Sequence, residues 1–453
     1  MTSVVTVEER PAPGAPRAYR FPAFERRALS NGMRLIVSPV HKLPVATILL
    51  VIDGGAVSEP MGTEGVANLT ARALLEGTDR RGGIELAEQF ELLGATVESG
   101  ADWDSTTFAM NVLSSRLPQA FELFAEVLRE PAFPEREIGR LRAERLAEIL
   151  QLRTEPRGLA DEMFNAFVYE EGSRYALPEH GSEQSVSGLD VEQVRAFHAA
   201  RYQPGAMTLI VAGDVAVDEA TALAERSLGD WPPGRPSRPM AADRPSGARR
   251  EVHIIAKSDA PQSELRIGHV GLPRSHPDYF PALVMNSVLG GLFSSRINLN
   301  LREAHAYTYG AFSGFDWRRG AGPFVVSTAV QSDVTVPATR EVLAEIERMR
   351  ESEITPDELS LATSYLDGVF PIRYETTSAI ARALGGLVVY DLPASYFDTY
   401  RENIRAVTLA DVHRVAREHL APERAQIVVV GDPRVVRQPL VESALGSVTV
   451  HEV

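Results

Sequence analysis

Histidine is the side chain best suited to bind a metal ion or to act as a base near neutral pH, and the chain has ten histidines. They are His41, His180, His198, His253, His269, His276, His305, His413, His419 and His451. No two are four residues apart, the spacing that places two imidazoles on one helical face, and neither HExxH nor HxxEH occurs. A GxSxG motif is also absent, because the segment 310–314 carries its serine one position late. The sequence therefore shows no self-contained hydrolytic site.

The composition excludes further kinds of chemistry. The 453 residues include no cysteine, so disulfides, thiolate zinc sites, iron–sulfur clusters and cysteine nucleophiles are ruled out. With 46 Lys and Arg against 61 Asp and Glu, the formal net charge is −15, and such a chain lacks the cationic surface that nucleic acid and anionic membranes require. Nucleotide binding has no support either, since neither GxGxxG nor a Walker A motif is present.

The N-terminal region predicts no contact with membranes. Residues 1–23 lack the apolar core of a signal peptide and are rich in proline, so we predict a flexible arm. The first long apolar run, Leu43–Ile52, is too short for a bilayer, which needs ~20 residues, and its β-branched residues favour a buried strand. We therefore expect a soluble protein of the cytoplasm; the periplasm stays open if a signal peptide has been removed.

A proline-rich segment divides the chain near its middle. Residues 231–250 read WPPGRPSRPMAADRPSGARR and have no helical or strand period, so we predict a linker. The flanking sequences repeat: VRAFHAARYQPGAMTLIVAGDV at 194–215 corresponds to VHRVAREHLAPERAQIVVVGDP at 412–433, with a constant offset of 412 − 194 = 218. Each copy predicts an amphipathic helix, a turn with proline and an apolar strand. We interpret the chain as two homologous halves, residues 24–230 and 251–453.

The order of predicted elements in the first half indicates the fold class. We predict strands over 34–39, 45–53, 96–98, 106–113 and 207–213, and helices over 66–75, 84–93, 121–129, 135–153 and 159–167. Strands mixed with long helices in this way are typical of α+β layers rather than of a regular βαβ alternation. The predicted fold class is therefore α+β for both halves.

The segment Gly65–Thr78, GVANLTARALLEGT, resembles a signature of the pitrilysin/insulinase family of inverted zincin metallopeptidases. That signature has the form GxAHxxEH followed by Gly-Thr; its two histidines bind zinc and its glutamate activates water. All three chemical groups are missing here, because Asn68, Ala71 and Arg72 hold those positions. Only Glu148, in the run Ala-Glu-Ile, is similar to the residue that supplies the family's third zinc ligand.

One carboxylate cannot hold zinc, since a catalytic zinc site needs three protein ligands. We therefore predict no metal at this degenerate site. Arg72 would repel a metal ion if it points inward, where it could form a salt bridge with Glu148; the sequence leaves open the alternative that Arg72 lies on a solvated helix face. The stretch that follows the family's zinc helix is also matched, with Asp104, Thr106 and Phe108 in place.

The second half keeps more of the family's pattern. Residues 289–312 read LGGLFSSRINLNLREAHAYTYGAF, which is similar to the family's glycine-rich turn, its Phe-Ser-Ser-Arg run and an arginine seven residues before a tyrosine. The resemblance implies that Arg302 and Tyr309 hold a substrate carbonyl and stabilise the tetrahedral intermediate. Tyr307 is a rival for the tyrosine role, and purely structural roles for Arg302 and Tyr309 stay open. The residues expected to contact peptide or partner are Gly290, Gly291, Phe293, Ser294 and Ser295.

The resemblance also implies an architecture and a function. The family is built from two halves, each of two αβ layers with antiparallel-rich sheets and helices packed on one face, arranged as a clamshell. In bacterial members with two different subunits, relatives of mitochondrial processing peptidase-like proteins, one chain carries the zinc motif and the other carries the Arg/Tyr pair. We therefore expect a non-catalytic subunit of a heterodimeric zinc metallopeptidase. It would be inactive alone and hold no cofactor, with zinc in an HxxEH-bearing partner that cleaves unfolded peptides.

Two other functions stay open at this point. The chain could be a structural or assembly subunit, like the core proteins of respiratory complexes that share this fold. It could also be a peptide-binding homodimer that acts as a chaperone or scavenger. In any of these roles the strand predicted near 96–99, if it lies at a sheet edge, could add a peptide by β-augmentation.

Overall fold

The computed structural model describes residues 18–234 and 249–452, so that parts of the predicted arm (1–17) and linker (235–248) lie outside the described residues. Each half of the chain contributes one six-stranded sheet. The strands of the first sheet are β1 (Glu25–Ala28), β2 (Arg34–Pro39), β3 (Val45–Ile52), β4 (Thr96–Ala101), β5 (Thr106–Leu113) and β6 (Met207–Gly213). The helices of the first half are α1 (Val66–Ala73), α2 (Gly83–Leu93), α3 (Leu117–Arg129), α4 (Glu135–Thr154), α5 (Pro156–Val168), α6 (Glu183–Ser187), α7 (Val191–Arg201) and α8 (Val217–Leu228).

The second half repeats this arrangement. Its strands are β7 (Glu251–Ala256), β8 (Gln262–Val270), β9 (Ala311–Phe315), β10 (Pro323–Gln331), β11 (Gln426–Gly431) and β12 (Ser447–His451). Its helices are α9 (Tyr279–Asn286), α10 (Arg296–Asn298), α11 (Thr335–Glu351), α12 (Pro356–Arg373), α13 (Thr377–Val389), α14 (Tyr396–Ala406), α15 (Leu409–His419) and α16 (Pro433–Glu442). Two π-helical segments, Ser287–Gly291 and Leu299–Ala304, follow α9 and α10. Within the described ranges, no helix is both long enough and apolar enough to cross a membrane.

The two sheets have equivalent strand orders, β1-β2-β6-β3-β5-β4 and β12-β7-β11-β8-β10-β9. In each, one inner pair is parallel (β2 with β6, β7 with β11), and the pairs from it toward β4 or β9 are antiparallel. The sheets differ at the other end, where β1 is antiparallel to β2 but β12 is parallel to β7. The repeated elements keep the predicted offset, since α7 and α15 begin 409 − 191 = 218 residues apart. The duplication and the α+β fold class are therefore confirmed.

The predicted elements of the first half are present, with changes at their ends. The strands predicted over 34–39, 106–113 and 207–213 have those bounds. Strand β4 continues to Ala101 because Ser99 and Gly100 extend its ladder with β5. Helix α3 begins at Leu117, four residues earlier than predicted, with Pro118 in its first turn, where a missing N–H leaves no hydrogen bond unmade.

The described end of the predicted N-terminal arm is anchored to the second half. Phe21 is buried, and its ring stacks on Phe397 of α14 with ring centres 4.0 Å apart. The hydroxyl of Tyr19 donates to the carbonyl oxygen of Tyr374 at 3.4 Å, and its ring meets Phe370 of α12 edge-on. Residues 18–23 thus belong to the packed structure.

The two halves exchange helices, so that each completes the core of the other. In β3, Ile48 and Leu50 face helices of the first half, whereas Leu49 and Val51 face the opposite side of the sheet. That side is covered by α13, which comes from the second half and packs on β3 and β6. Conversely, α5 of the first half packs on β8 and β11. Each sheet therefore carries its own helices on one face, as expected, and an exchanged helix on the other.

The contact of α13 with the first sheet depends on Gly385. A Cβ atom at this position would lie 3.3 Å from a methyl of Val51 and 3.5 Å from one of Leu49, whereas at Gly386 it would meet nothing within 4 Å. We expect Gly385→Leu to lower the free energy of unfolding by ~1–3 kcal/mol, because the overpacked helix must move off the sheet. Gly386→Ala should instead raise it by roughly 0.5–1 kcal/mol, since alanine loses less backbone entropy in a helix. Urea denaturation of both variants measures the difference; equal stability of Gly385→Leu and the wild type would contradict this packing.

Candidate functional site

Helix α1 positions the residues of the degenerate zinc motif. It begins after Gly65, whose φ of +99° favours glycine and where a Cβ would lie 2.8 Å from the carbonyl oxygen of His180. Asn68 and Arg72 are four residues apart and therefore share one helical face. Ala71 is fully buried on another side of the helix. The face that carries the two former histidine positions meets helix α4 through Arg72.

The Arg72 guanidinium lies between two carboxylates of α4. Its Nη1 donates to Glu148 Oε1 at 3.0 Å, and its Nη2 donates to Glu144 Oε2 at 3.0 Å. The predicted salt bridge with Glu148 is thus present, and with 27% of the Arg72 side chain exposed it lies at a half-exposed surface of α1. Sequence reasoning missed Glu144; its position one helical turn before Glu148 was the available signal.

The charges at this position do not fit a metal site. Burial acts to raise the pKa of Glu148, but the hydrogen bond from Arg145 (3.2 Å) and the charge of Arg72 outweigh it and lower that pKa. The carboxylate therefore stays ionised, with arginines as its cations. A catalytic zinc site needs three ligands, whereas Asn68, Ala71 and Arg72 supply no imidazole, and no three-ligand group forms here within the described residues.

The downstream motif residues have structural contacts. Asp104 Oδ2 accepts the backbone N–H of Arg319, from the loop between β9 and β10, at 2.9 Å, and burial raises the pKa of Asp104 to about 6. Thr106 Oγ1 donates to the carbonyl oxygen of Gly54 at 2.6 Å, and Phe108 is fully buried. These residues hold the first sheet together and join it to a loop of the second half.

The Arg/Tyr segment has an unusual backbone, because each of its two helical pieces runs into a π-helical segment. Such segments are often found at functional sites, and the second one holds Arg302. The glycine-rich turn expected at Gly290 and Gly291 is the end of the first π-helical segment. A Cβ at Gly290 would lie 2.3 Å from Ser313 Oγ, so glycine is what allows this segment to approach β9.

The five predicted contact residues divide by exposure. Gly291, Phe293 and Ser294 are exposed, whereas Gly290 and Ser295 are buried. The hydroxyl of Ser295 has no hydrogen-bond partner among the described residues. A direct contact with peptide or partner is therefore open to the first three residues only.

Arg302 lies at the surface against an aromatic ring. Its guanidinium carbon is 4.6 Å from the ring centre of Phe293, which is itself 62% exposed, and its Nε lies 3.5 Å from Glu303 Oε1. A cation–π contact orients the guanidinium, and the uncharged ring does not neutralise its positive charge. The Arg302 side chain is 35% exposed, so its guanidinium remains available to a further ligand.

Tyr307 and Tyr309 are both candidates for the tyrosine of the Arg/Tyr pair, and their surroundings differ. Tyr309 is 93% exposed and makes no hydrogen bond with the described residues. Tyr307 packs partly buried against the core of the second half, and its ring stacks on His305 with centres 5.0 Å apart. The hydroxyl that is free to meet an added molecule is that of Tyr309.

Residues that the sequence did not single out hold this segment in place. Asn298 is fully buried; its Nδ2 donates to the carbonyl oxygen of Phe293 at 2.6 Å, and its Oδ1 accepts the N–H of Ala311 at 3.0 Å. Arg296 donates to both carboxylate oxygens of Glu358 on α12, at 2.6 and 2.8 Å. These hydrogen bonds lower the pKa of Glu358 to about 2. A buried asparagine and a bidentate ion pair thus fix the loop that carries Phe293.

A groove of about 670 Å³ runs beside Tyr309 on the exposed part of the second sheet. Tyr309 and Phe312 line it together with Glu264 and Arg266 of β8. Arg266 is fixed by Asp161 of α5 at 2.5 Å and by Glu264 at 3.0 Å, so that the first half shapes this wall. The groove therefore offers aromatic surface and an exposed phenol side by side.

The two groups of predicted site residues remain separate. Among the described residues, Arg72 contacts Glu144 and Glu148, Arg302 contacts Phe293 and Glu303, and no hydrogen bond or ion pair joins the two groups. Their chemistry is therefore not that of one complete active site within this chain.

The fold and the site define a class: a duplicated α+β protein whose first half has Asn68, Ala71 and Arg72 on helix α1, with no imidazole among them, and whose second half has the half-buried Arg302 and the exposed Tyr309. Residues 35–176 match the family described as insulinase, peptidase family M16, and residues 188–366 match the peptidase M16 inactive domain. The chain belongs to the M16, or insulinase, family of peptidases, as the sequence predicted.

Relatives and a solved structure agree with this assignment. The chain is 24% identical to an uncharacterized zinc protease of Streptomyces coelicolor over 412 residues, which are 90% of this chain and 89% of the relative. It is 24% identical to the beta subunit of the mitochondrial-processing peptidase of Lentinula edodes over 416 residues, 88% of each chain. The crystal structure of a peptidase M16 inactive domain from Pseudomonas fluorescens superposes with a TM-score of 0.84 at 25% identity, covering 90% of this chain and 98% of that one. The clamshell fold expected from the resemblance is thus confirmed.

Proposed function

We propose that this chain is the non-catalytic subunit of a heterodimeric zinc metallopeptidase, to whose active site it supplies Arg302 and Tyr309. The observation that carries the proposal is an asymmetry within the chain. In the first half, Arg72 occupies the carboxylates of the former metal site at 3.0 Å. In the second half, the exposed Tyr309 has no partner of its own among the described residues.

In the proposed complex, an HxxEH-bearing partner would hold the zinc ion, whose chemistry would be to activate water and polarise the scissile carbonyl. Arg302 and Tyr309 then donate hydrogen bonds to the oxygen on which negative charge develops. Fixed donors are effective in this role because they need no reorganisation when the charge appears. Phe293 directs the guanidinium, while Asn298 and the Arg296–Glu358 ion pair keep the loop of Phe293 in place.

The proposed substrate is an unfolded peptide. The groove beside Tyr309 runs across one face of the second sheet, over residues of β8, β10 and β9. The outer edge of β9 is already occupied, because Asn298 accepts the N–H of Ala311 and Asn286 donates to the carbonyl oxygen of Ser313. The strand predicted near 96–99 lies at the edge of the first sheet, as β4. An extended chain can pair with that strand through its backbone, whereas a folded protein presents no free strand for that purpose.

The decisive experiment compares the chain alone, and the chain with a homologous HxxEH-bearing partner, in cleavage of a fluorogenic unstructured peptide. We expect cleavage by the complex only. Removing one oxyanion donor typically costs ~10²–10³ in kcat, so Arg302→Ala and Tyr309→Phe should lower kcat by about that factor with little change in KM. Tyr307→Phe is the matched control, because this side chain packs against the core, and it should leave kcat within about twofold of the wild type.

Several outcomes would overturn the proposal. Chelator-sensitive cleavage by the chain alone would show a metal site of its own. Full activity of both the Arg302 and the Tyr309 variants would remove their assigned role. A stable complex that lacks peptide cleavage would favour a structural subunit, and a homodimer that binds peptides without cleaving them would favour a chaperone or scavenger. The mass of the purified species distinguishes these last two.

A further inference from the structure

Two histidines and one aspartate meet on the second half of the protein, although one of the histidines is far along the chain from the other two residues. His276 and Asp278 lie in the segment before α9, and His419 is the last residue of α15. One ligand atom from each of the three residues lies within 4.8 Å of the others, and among the described residues this is the group of such side chains that could hold a metal ion. The cluster is separate from the former zinc helix α1.

The spacing of the three groups is close to that of a tetrahedral metal site. Two ligands of a tetrahedral zinc ion lie about 3.3 Å apart, because each bond is about 2.0–2.1 Å long. Asp278 Oδ2 is 2.7 Å from His419 Nε2 and 3.8 Å from His276 Nδ1, so the two distances bracket this value. The two imidazole rings stand at 82° to one another with their centres 5.0 Å apart. The ligand atoms of all three residues lie within 4.8 Å of one another, so the side chains must draw together on binding to reach the bonding distance.

The ionisation states of the cluster favour a cation. Hydrogen bonds from Arg414 hold the pKa of Asp278 far below its usual range, so the carboxylate is charged at neutral pH. Burial lowers the pKa of His276, which favours the neutral imidazole, the form that binds metals. The side chains are 15–30% exposed, so that an ion can reach them from solvent.

Arg414 competes with a metal ion for the carboxylate of Asp278. Its Nη2 donates to Asp278 Oδ1 at 2.6 Å, its Nη1 to Oδ2 at 3.1 Å, and Nη1 also donates to Glu418 at 2.8 Å. The guanidinium can keep its stronger hydrogen bond to Oδ1, and its contact with Glu418, while Oδ2 turns to a metal. A guanidinium bonded to the other oxygen of a ligating carboxylate repels the ion and weakens the site, but it leaves Oδ2 able to bind.

We propose that His276, Asp278 and His419 bind a divalent transition-metal ion of the Zn²⁺ type and thereby tie the segment before α9 to the end of α15. Two imidazoles and one carboxylate suit Zn²⁺, and water completes the fourth position. On binding, His419 Nε2 gives up the proton that it donates to Asp278, which moves to its Nδ1 or to solvent. His276 Nδ1 exchanges the N–H of Asp278, 3.1 Å away, for the metal.

The test uses the full chain, stripped of metal and then titrated with Zn²⁺ or with Co²⁺, whose visible absorption reports tetrahedral coordination. We expect one ion per chain after removal of excess metal and a higher midpoint of thermal unfolding with zinc. His276→Ala and His419→Ala should each weaken binding by more than the ~10–100-fold lost when a hydrogen-bond partner of a ligand is removed. Arg414→Ala should strengthen binding, because it removes a positive charge beside the ion. His413→Ala is the control, because it lies on the same helix α15 and bonds the carbonyl oxygen of Arg350 instead.

His419→Gln keeps a hydrogen-bond donor toward Asp278 and covers the case in which the alanine variant fails to fold. No bound metal, or metal retained at full strength in the His276 and His419 variants, overturns the proposal. Since the site does not involve Arg302, Tyr309 or a partner chain, its failure leaves the proposed peptidase role untouched.

Discussion

A chain in which Asn68 and Arg72 are both replaced by histidine is expected to bind one zinc ion between α1 and α4. The two positions share one face of α1, and Arg72 shows that this face reaches Glu148, with 3.0 Å between their polar atoms. Histidines at 68 and 72 would join Glu148 in a two-imidazole, one-carboxylate set, which is sufficient for zinc with water as the fourth ligand. Removing Arg72 also removes the cation that now occupies both carboxylates.

The restored site should bind zinc but cleave nothing. Ala71, which is fully buried, occupies the position that the resemblance gives to the water-activating glutamate. A methyl group cannot accept a proton, so the double variant lacks a general base. The lost ion pairs of Arg72 are half-exposed and cost only ~0–1 kcal/mol each, so the variant should remain folded. We therefore expect the double variant to bind zinc without cleaving peptide.

We would measure metal content and Co²⁺ absorption in a His276→Ala background, so that the proposed site of His276, Asp278 and His419 does not contribute. Adding Glu148→Gln to the double variant removes the carboxylate ligand and should abolish binding. Asn68→His alone is the matched control, since Arg72 still fills the site. If the double variant stays metal-free, the face of α1 that carries residues 68 and 72 is not aligned with Glu148 as the structure shows.

The residues of the former zinc motif could be assigned from the sequence because their arrangement is local. Asn68 and Arg72 are one helical turn apart, and the helix that contains them is set by its own periodicity. The contact of Arg72 with Glu148 needed one further step, the packing of α1 on α4, and charge complementarity was enough to suggest it. Strand positions were equally accessible, since apolar runs such as 207–213 are bounded by turns.

Contacts between distant parts of the chain were not accessible in this way. Nothing in the sequence of α13 shows that it covers β3, which lies more than 300 residues earlier in the chain. The same limit hid the pairing of His276 and Asp278 with His419, because no spacing rule relates side chains that only the fold brings together. The buried Asn298 was missed for a related reason: a polar residue inside a helical segment has no signal until its partners are known.

Separating the chain into residues 18–234 and 249–452 is expected to leave neither half with a cooperative fold. In the first half alone, Ile36, Leu49, Val51 and Ile210 would lose their cover, although each is now at most 3% exposed. Burial of one such side chain contributes ~1.5–3 kcal/mol, so the four together amount to roughly 6–12 kcal/mol. A folded domain is typically stable by only about 5–15 kcal/mol, and the loss is therefore comparable with the whole stability.

Co-expression of the two halves should restore the fold, because the contacts of α5 with the second sheet and of α13 with the first are non-covalent. A tag on one half should then recover the other, and the reassembled protein should unfold in one transition in urea. Gly385→Leu in the second half should weaken recovery, whereas Gly386→Ala should not. A first half that unfolds cooperatively alone would show that its sheet does not need α13.

This interdependence bears on the proposed function. Arg157 of the first half lines the groove beside Tyr309, and Asp161 of the first half binds Arg266, which also lines it. Asp104 of the first half accepts a hydrogen bond from the loop that follows β9. The groove wall beside Tyr309 is therefore set by both halves, whereas Arg302 is held by contacts within the second half. The first half thus fixes part of the surface that is proposed to complete a partner's active site.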